Sequence, residues 1–455
     1  MKKIFLILIL LVLISGCTEY ADMGNFTFGI RKTGGLGEEG GPIIVVINQS
    51  ADEIMGLADY KDFLPEEIAG LTKDFYPAGL SRKQILAKLP EAVPRTGRIG
   101  NDTWSDVILV TGDLEAENLV IEPGTFVFVE AGKDDQKSGA EMGTDPVNPH
   151  EFLGEDYQKT HISIRVRGEL NAKGNPDKPI IFTSTSETPS LSDWDHLEFE
   201  KGVLEYAVVE NLWGISIRSS DAKISHCVIR NLLQQGIMFG TLPYAGIYGE
   251  AVSPEITYNY IYNFGHMAVQ SFFSEPHISN NIFIQKLTED PEMIEYLGKG
   301  ENGGLDIHGG NGTIERNFLS CGNLSSSERA NLGCPGIGIT EASYPIIKFN
   351  TMTGNKWGIE LQGGLPAINN NNILGNEQGH AVVRTIYSEP GRESQGVAYT
   401  EPLDFRHNWW GTNNTERVTS KMDISLNIQR EIEPIATAEI PEAFPDWSEF
   451  GWLWG

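Results

Sequence analysis

Positive charge is scarce in this chain. Thirty-four Lys and Arg face 62 Asp and Glu, a net charge of −28 over 455 residues. Phosphate binding is carried by Lys and Arg, so this balance argues against nucleic acid or another polyanion as partner. A neutral polysaccharide is the easier ligand. Long apolar runs are missing as well: Ile4 to Ser15 is a stretch of twelve residues, too short for a comfortable membrane span. EF-hand spacing is absent. The acids between Lys133 and Lys159 (Asp134, Asp135, Glu141, Asp145, Glu155 and Asp156) read as a solvated loop. Ca²⁺ is the one ion such acids would suit, and no other cofactor is expected. His266, His308 and His380 lack the tight spacing of metal ligands, so no metal site is expected from them.

What the chain has in abundance is turn residues, 50 Gly and 23 Pro, which suit an all-β protein. It also repeats itself. LEYAVVEN from Leu204, ISHCVIRN from Ile224, ITYNYIYN from Ile256, ISNNIFIQ from Ile278, IERNFLSC from Ile314, IKFNTMTG from Ile347, INNNNILG from Ile368 and FRHNWWGT from Phe405 share one pattern. Their first and sixth positions are apolar. The fourth is Asn in six of them: Asn259, Asn281, Asn317, Asn350, Asn371 and Asn408. Between them recurs a Gly-led strand, as in WGISIR, GLDIHG, GIGITE and WGIELQ, with one face apolar. The repeat start advances by 20, 32, 22, 36, 33, 21 and 37 residues, which is a coil of about 20 to 22 residues carrying insertions. A unit too small to bury a face alone must stack on its neighbours. Asn at a fixed turn position is expected to take the left-handed backbone conformation and to bond to its copy one coil away. An antiparallel sandwich is the competing reading, and the regular Asn column disfavours it.

The repeats resemble the right-handed parallel β-helix repeats of pectin-lyase-like proteins, including the carbohydrate-binding and sugar-hydrolase group and the nitrous-oxide-reductase accessory proteins. HNWWGT (His407 to Thr412) is similar to a last-coil motif of such chains, and GELNAKGNPDKPIIFTS (Gly168 to Ser184) resembles an early-coil motif. The resemblance implies a parallel β-helix of about twelve coils. It leaves activity open, because this fold hosts lyases, hydrolases, adhesins and inert scaffolds. The Asp-rich and Gly-His-Gly motifs of its polygalacturonases are absent, as is the Asp, Arg and Lys cluster of Ca²⁺-dependent pectate lyases.

Domain order follows from composition. Residues 1–16 read as a signal peptide ending at Cys17, and ISGC resembles the lipobox of lipoproteins. That resemblance implies lipidation of Cys17 and a membrane-anchored protein on the extracytoplasmic side. An uncleaved anchor and an ordinary secretory signal are the alternatives. Residues 17–50 read as a Gly-rich tether, 51–104 as a small helical segment capping the first coil, 105–440 as the β-helix and 441–455 as an aromatic cap, with a sugar-stacking platform as the cap's alternative role. Ser81 and Gln84 form a capping box. Insertions fall at about Thr241 to Ser253, Lys286 to Asn302, Gly322 to Pro335 and Ile386 to Pro402. In an exported chain Cys321 and Cys334 can close the third as a disulfide, whereas Cys227, in the ladder column, reads as a buried free thiol.

Outward positions of the Gly-led strand define where chemistry can sit. One column reads Ser216, Met238, Ala268, Asp306, Gly338, Glu360 and Val382. The next reads Arg218, Gly240, Gln270, His308, Thr340, Gln362 and Arg384. Asp306 and Glu360 then lie two coils apart, about 10 Å by the spacing of stacked strands, over Gly338. Two carboxylates across such a gap suit an inverting glycosidase, with His308 moving protons and Thr340, Glu341, Gln362 and Arg384 binding substrate. A merely solvated polar face is the plainer reading. Three functional expectations stand: a monomeric glycan-binding surface protein, a polysaccharide hydrolase or lyase using Asp306 and Glu360, and a scaffold or copper-assembly accessory protein.

Overall fold

A computed structural model describes residues 60–71, 75–135, 157, 159–234, 236–240, 251–285, 303–321, 335–383, 399, 401–424 and 428–454, with two short strands nearer the N-terminus. The chain divides into two compact units, 1–58 and 59–455. In the first, Ala21–Asp22 pairs antiparallel with Thr27–Phe28, within the stretch expected to be a tether. The signal peptide and Cys17 lie outside the described residues, as do most of the four insertions, Cys334 and Arg384.

The second unit is an all-β parallel solenoid: its 29-stranded sheet is parallel at every named pairing. Each coil contributes strands to three faces. Twelve strands contribute rungs to the first face in order: Val93–Trp104, Val107–Ile121, Ile164–Lys173, Trp194–Glu205, Leu212–Ile217, Ile237–Gly240, Met267–Ser274, Gly303–Gly310, Pro335–Ser343, Trp357–Gln362, Gly379–Val383 and Met422–Asp423, the first four of them bending on to neighbouring faces as well. The second face includes His277–Ser279 and Thr313–Glu315, and the third Ile282–Ile284 and Phe318–Ser320. Stacking starts earlier than residue 105, because VPRTGRIGNDTW already pairs with Val107–Ile121. Inward columns such as Ile215, Ile237, Val269, Leu305, Ile337 and Ile359 fill the core and are fully buried. Each such side chain contributes about 1.5–3 kcal/mol by leaving water.

The turn between the second and third faces carries the ladder. Asn259 Nδ2 donates to Asn281 Oδ1 at 3.0 Å, and the same bond repeats through Asn317, Asn350, Asn371 and Asn408 at 2.9–3.0 Å. Each Oδ1 also accepts the backbone N–H one coil back, beginning with Cys227. Cys227 is buried and free, as expected, and burial pushes its thiol up to about 12. The left-handed residue is not the ladder Asn but the one before it. Tyr258, Asn280, Arg316, Phe349, Asn370 and His407 have φ between 54° and 61°. That residue turns the chain sharply and points its side chain out, so that the next one, Asn, points in. Asn355 and Asn376 form a shorter second ladder at 3.0 Å.

The described residues of both flanking segments pack along the third face of the solenoid. The third face is apolar on both sides: Phe128, Ile181, Val208, Val228, Tyr260, Ile282 and Phe318 point away from the core yet are buried. A strand apolar on both faces needs cover. Tyr60, Ile68, Tyr76 and Ile85 from the helical segment supply it, together with Phe450, Trp452 and Leu453 from the aromatic tail. The tail runs back along the solenoid. Ile440 bonds to Asn372, Thr351 donates to the Ala443 carbonyl, Asp446 N–H donates to Asn280, and Trp452 meets Tyr206 edge-on. The capping box at Ser81 is present and starts the helix Arg82–Leu86. The C-terminal core is covered by Val418 on the helix Thr415–Ser420, with Ile424 and Ile432.

Candidate functional site

The outward columns of the first face change character along the solenoid. In the early coils they are ion-paired. Arg98 and Arg167 meet Glu115, and Arg165 and Arg218 hold Glu198 at 2.7 and 3.0 Å. Farther on the register runs Met238, Gln270, Asp306, Gly338, Glu360 and Val382. The neighbouring column is Gly240, Phe272, His308, Thr340 and Gln362.

This corrects the sequence assignment in one coil. Gln270, not Ala268, stands beside Asp306, and Phe272 takes the place expected for Gln270. In that coil Gly265 lies three residues before the corner, and Ala268 fills the place that Gly236, Gly304, Gly336 and Gly358 fill in other coils. The corner is tight. A Cβ on Gly236 would come within 2.4 Å of the Ala268 carbonyl, and one on Gly358 within 2.4 Å of Ile373. The signal available in the sequence was size, since alanine is the next smallest residue.

Asp306 and His308 are joined by a 2.6 Å contact from Nε2 to Oδ2. Gln270 Nε2 donates to the same oxygen at 3.1 Å. Thr340 Oγ1 lies 2.9 Å from His308 Nδ1, and Phe272 stacks on the imidazole at 4.9 Å. Burial alone would raise the Asp306 carboxyl, but the nearby His308 and His266 and these hydrogen bonds hold it below the ordinary range. It is therefore a carboxylate, 3 % exposed. Glu360 accepts from Gln362 Nε2 at 3.2 Å. Asp306 and Glu360 do stand two rungs apart with Gly338 between them. A Cβ on Gly338 would rest 3.6 Å from Asp306 Oδ1, so the glycine leaves a methyl-sized notch there.

Glu341 belongs to neither column. The register slips between His308 and Gly310, and Glu341, with φ 57°, is the extra residue of a bulge. Arg384 lies outside the described residues. Cys321 is disulfide-bonded, and Cys334, its expected partner, also lies outside them. Among the described residues no group of three or more His, Cys, Asp or Glu is placed to hold a metal ion, and no helix is long and apolar enough to cross a membrane.

No known protein family matches the chain, and no curated protein or solved structure does.

Proposed function

We propose that this protein is an exported, lipid-anchored β-helix of the pectin-lyase-like type, and that it binds a glycan along the first face. One observation carries the reading. Over four consecutive rungs, two adjacent columns present carboxamide, carboxylate, imidazole and hydroxyl groups side by side: Gln270, Asp306, His308, Thr340, Glu360 and Gln362. A few converging polar groups are what a sugar with vicinal hydroxyls requires, and Phe272, itself 3 % exposed, backs them by stacking on His308. The net charge of −28 favours a neutral glycan. The lipid anchor rests on the N-terminal sequence through Cys17.

The test is a glycan array with the exported portion, followed by titration of any hit. Gln270→Ala with Gln362→Ala should weaken binding at least tenfold, while Arg98→Ala, at an early coil of the same face, should leave it unchanged. Undiminished binding by the double variant, or no glycan bound at all, overturns the reading.

The notch at Gly338 favours a second reading, polysaccharide cleavage with Asp306 as base and Glu360 as its opposite carboxyl. Sugar-cleaving activity that survives both Asp306→Ala and Glu360→Ala would remove it.

A further inference from the structure

We infer that Thr340, His308 and Asp306 form a nucleophile relay, and that the first face cleaves ester groups, such as O-acetyl, carried by a glycan. The substrate class rests on the proposed glycan surface; the relay rests on geometry alone.

Oδ2 of Asp306 lies 2.6 Å from His308 Nε2, which places the ring proton on Nε2. In the neutral imidazole Nδ1 is then the lone-pair nitrogen, and it faces Thr340 Oγ1 at 2.9 Å. The threonine's other polar neighbour, the Ile307 carbonyl, is 3.4 Å away and geometrically the weaker acceptor. The hydroxyl proton thus points at a base that is itself oriented by an acid, the arrangement that activates serine and threonine nucleophiles. Phe272 holds the ring from one side and Gln270 holds the carboxylate. Gln270 is 6 % exposed, and its Oε1 has no hydrogen-bond partner. A buried acceptor beside the relay suits a ligand hydroxyl. A structural threonine needs no imidazole so placed, and the three residues come from two rungs brought into register only by stacking.

The chemistry balances without a co-reactant other than water. Thr340 Oγ attacks the ester carbonyl and gives its proton to His308 Nδ1. The sugar alkoxide leaves with that proton, and the acyl group stays on Oγ. Water then attacks the acyl-threonine, passing its proton through Nδ1 back to Oγ as the carboxylic acid departs. Asp306 offsets the positive charge on the ring in both halves.

The experiment uses the exported protein, a fluorophosphonate probe, 4-nitrophenyl acetate and O-acetylated oligosaccharides. The expected result is a covalent label on the Thr340 peptide by mass spectrometry, together with acetate release. Release should fall by at least about 100-fold in Thr340→Ala and His308→Gln and stay within about tenfold in Thr340→Ser. If Thr340→Ala does not fold, the position of the label and the Thr340→Ser rate decide. No label and no ester cleavage overturns the inference, as does cleavage unchanged in Thr340→Ala. Glycan binding without ester cleavage removes the relay and leaves the binding surface standing. Thr340-dependent cleavage of 4-nitrophenyl acetate alone, with no glycan bound or deacetylated, supports the relay and overturns both the glycan surface and the ester substrate assigned to it.

Discussion

Glu210 and Arg230, both essentially buried, meet at 2.8 Å on the outer side of the third face, one rung apart. Burial alone would raise the Glu210 carboxyl. Arg230, with hydrogen bonds from Thr183 and Tyr76 and the charge of Arg82, holds it below its ordinary range. Tyr76 and Arg82 come from the N-terminal helical segment, and the Arg230 guanidinium lies over the rings of Phe75 and Tyr76 and donates to the Phe75 carbonyl. The pair thus ties that segment to the side of the solenoid. Removing one member leaves the other charge buried. Arg230→Met should cost about 3–5 kcal/mol in chemical denaturation and make residues near Tyr76 the first site of limited proteolysis. A loss below about 1 kcal/mol, the range of an exposed pair, would show that the pair is solvated.

The ladder should be strongest in its middle. Asn317 accepts from Asn281 twice and donates to Asn350 and to the Ile278 carbonyl, so Asn317→Ala strands several buried groups. A cost of about 1–3 kcal/mol attaches to each unsatisfied group. Asn259 accepts only the Cys227 N–H above it, and Asn259→Ala should therefore cost less. Equal melting shifts for the two variants would contradict the stacked arrangement.

Two glycines two positions apart should behave oppositely. Gly336→Ala would drive a Cβ to 2.7 Å from the Gly358 carbonyl and should destabilise the fold. Gly338→Ala meets only ordinary contacts, the closest being Asp306 Oδ1 at 3.6 Å. It should fold normally while filling the notch, so glycan affinity should drop with no change in melting temperature. Unaltered affinity in a well-folded Gly338→Ala would mean that the notch takes no ligand.

His380 sets a pH dependence. Burial, helped by Lys421, pushes its imidazole down to about 3, against an unfolded value of 6.5. The fold thus prefers the neutral ring. Stability is complete above pH 6.5 and falls as the pH drops towards about 3, by about 1.4 kcal/mol per pH unit. His161 and His226, also lowered by burial, act in the same direction. Carboxylates held low, such as Asp306 and Glu198, lose their contribution only at more acid pH. Between pH 4.5 and 6.5 the wild-type melting temperature should therefore slope more steeply than that of His380→Gln. Parallel slopes would place His380 in contact with water.

The coil path was legible because most rungs repeat the same backbone demands within about twenty residues: an apolar inward pair, a small corner (His196 and His380 are exceptions) and, in six repeats, an Asn at the turn. Such demands recur in sequence as a period, and the period was enough to expect Asp306, Gly338 and Glu360 in one column. It failed at Ala268 and Gln270, where the corner residue was not glycine and the frame moved by two. It also missed the left-handed residue, whose identity (Tyr, Asn, Arg, Phe or His) follows no pattern.

What the sequence determined by itself is therefore the solenoid, its faces and its ladder. All of these arise from short-range rules applied over and over. Only the tertiary structure decided that the helical segment and the aromatic tail lie along the third face, and that Thr340 meets His308. Those contacts join residues from different rungs or from opposite ends of the chain. They depend on the lengths of the intervening insertions and on which apolar surface remains uncovered, and no local period records either.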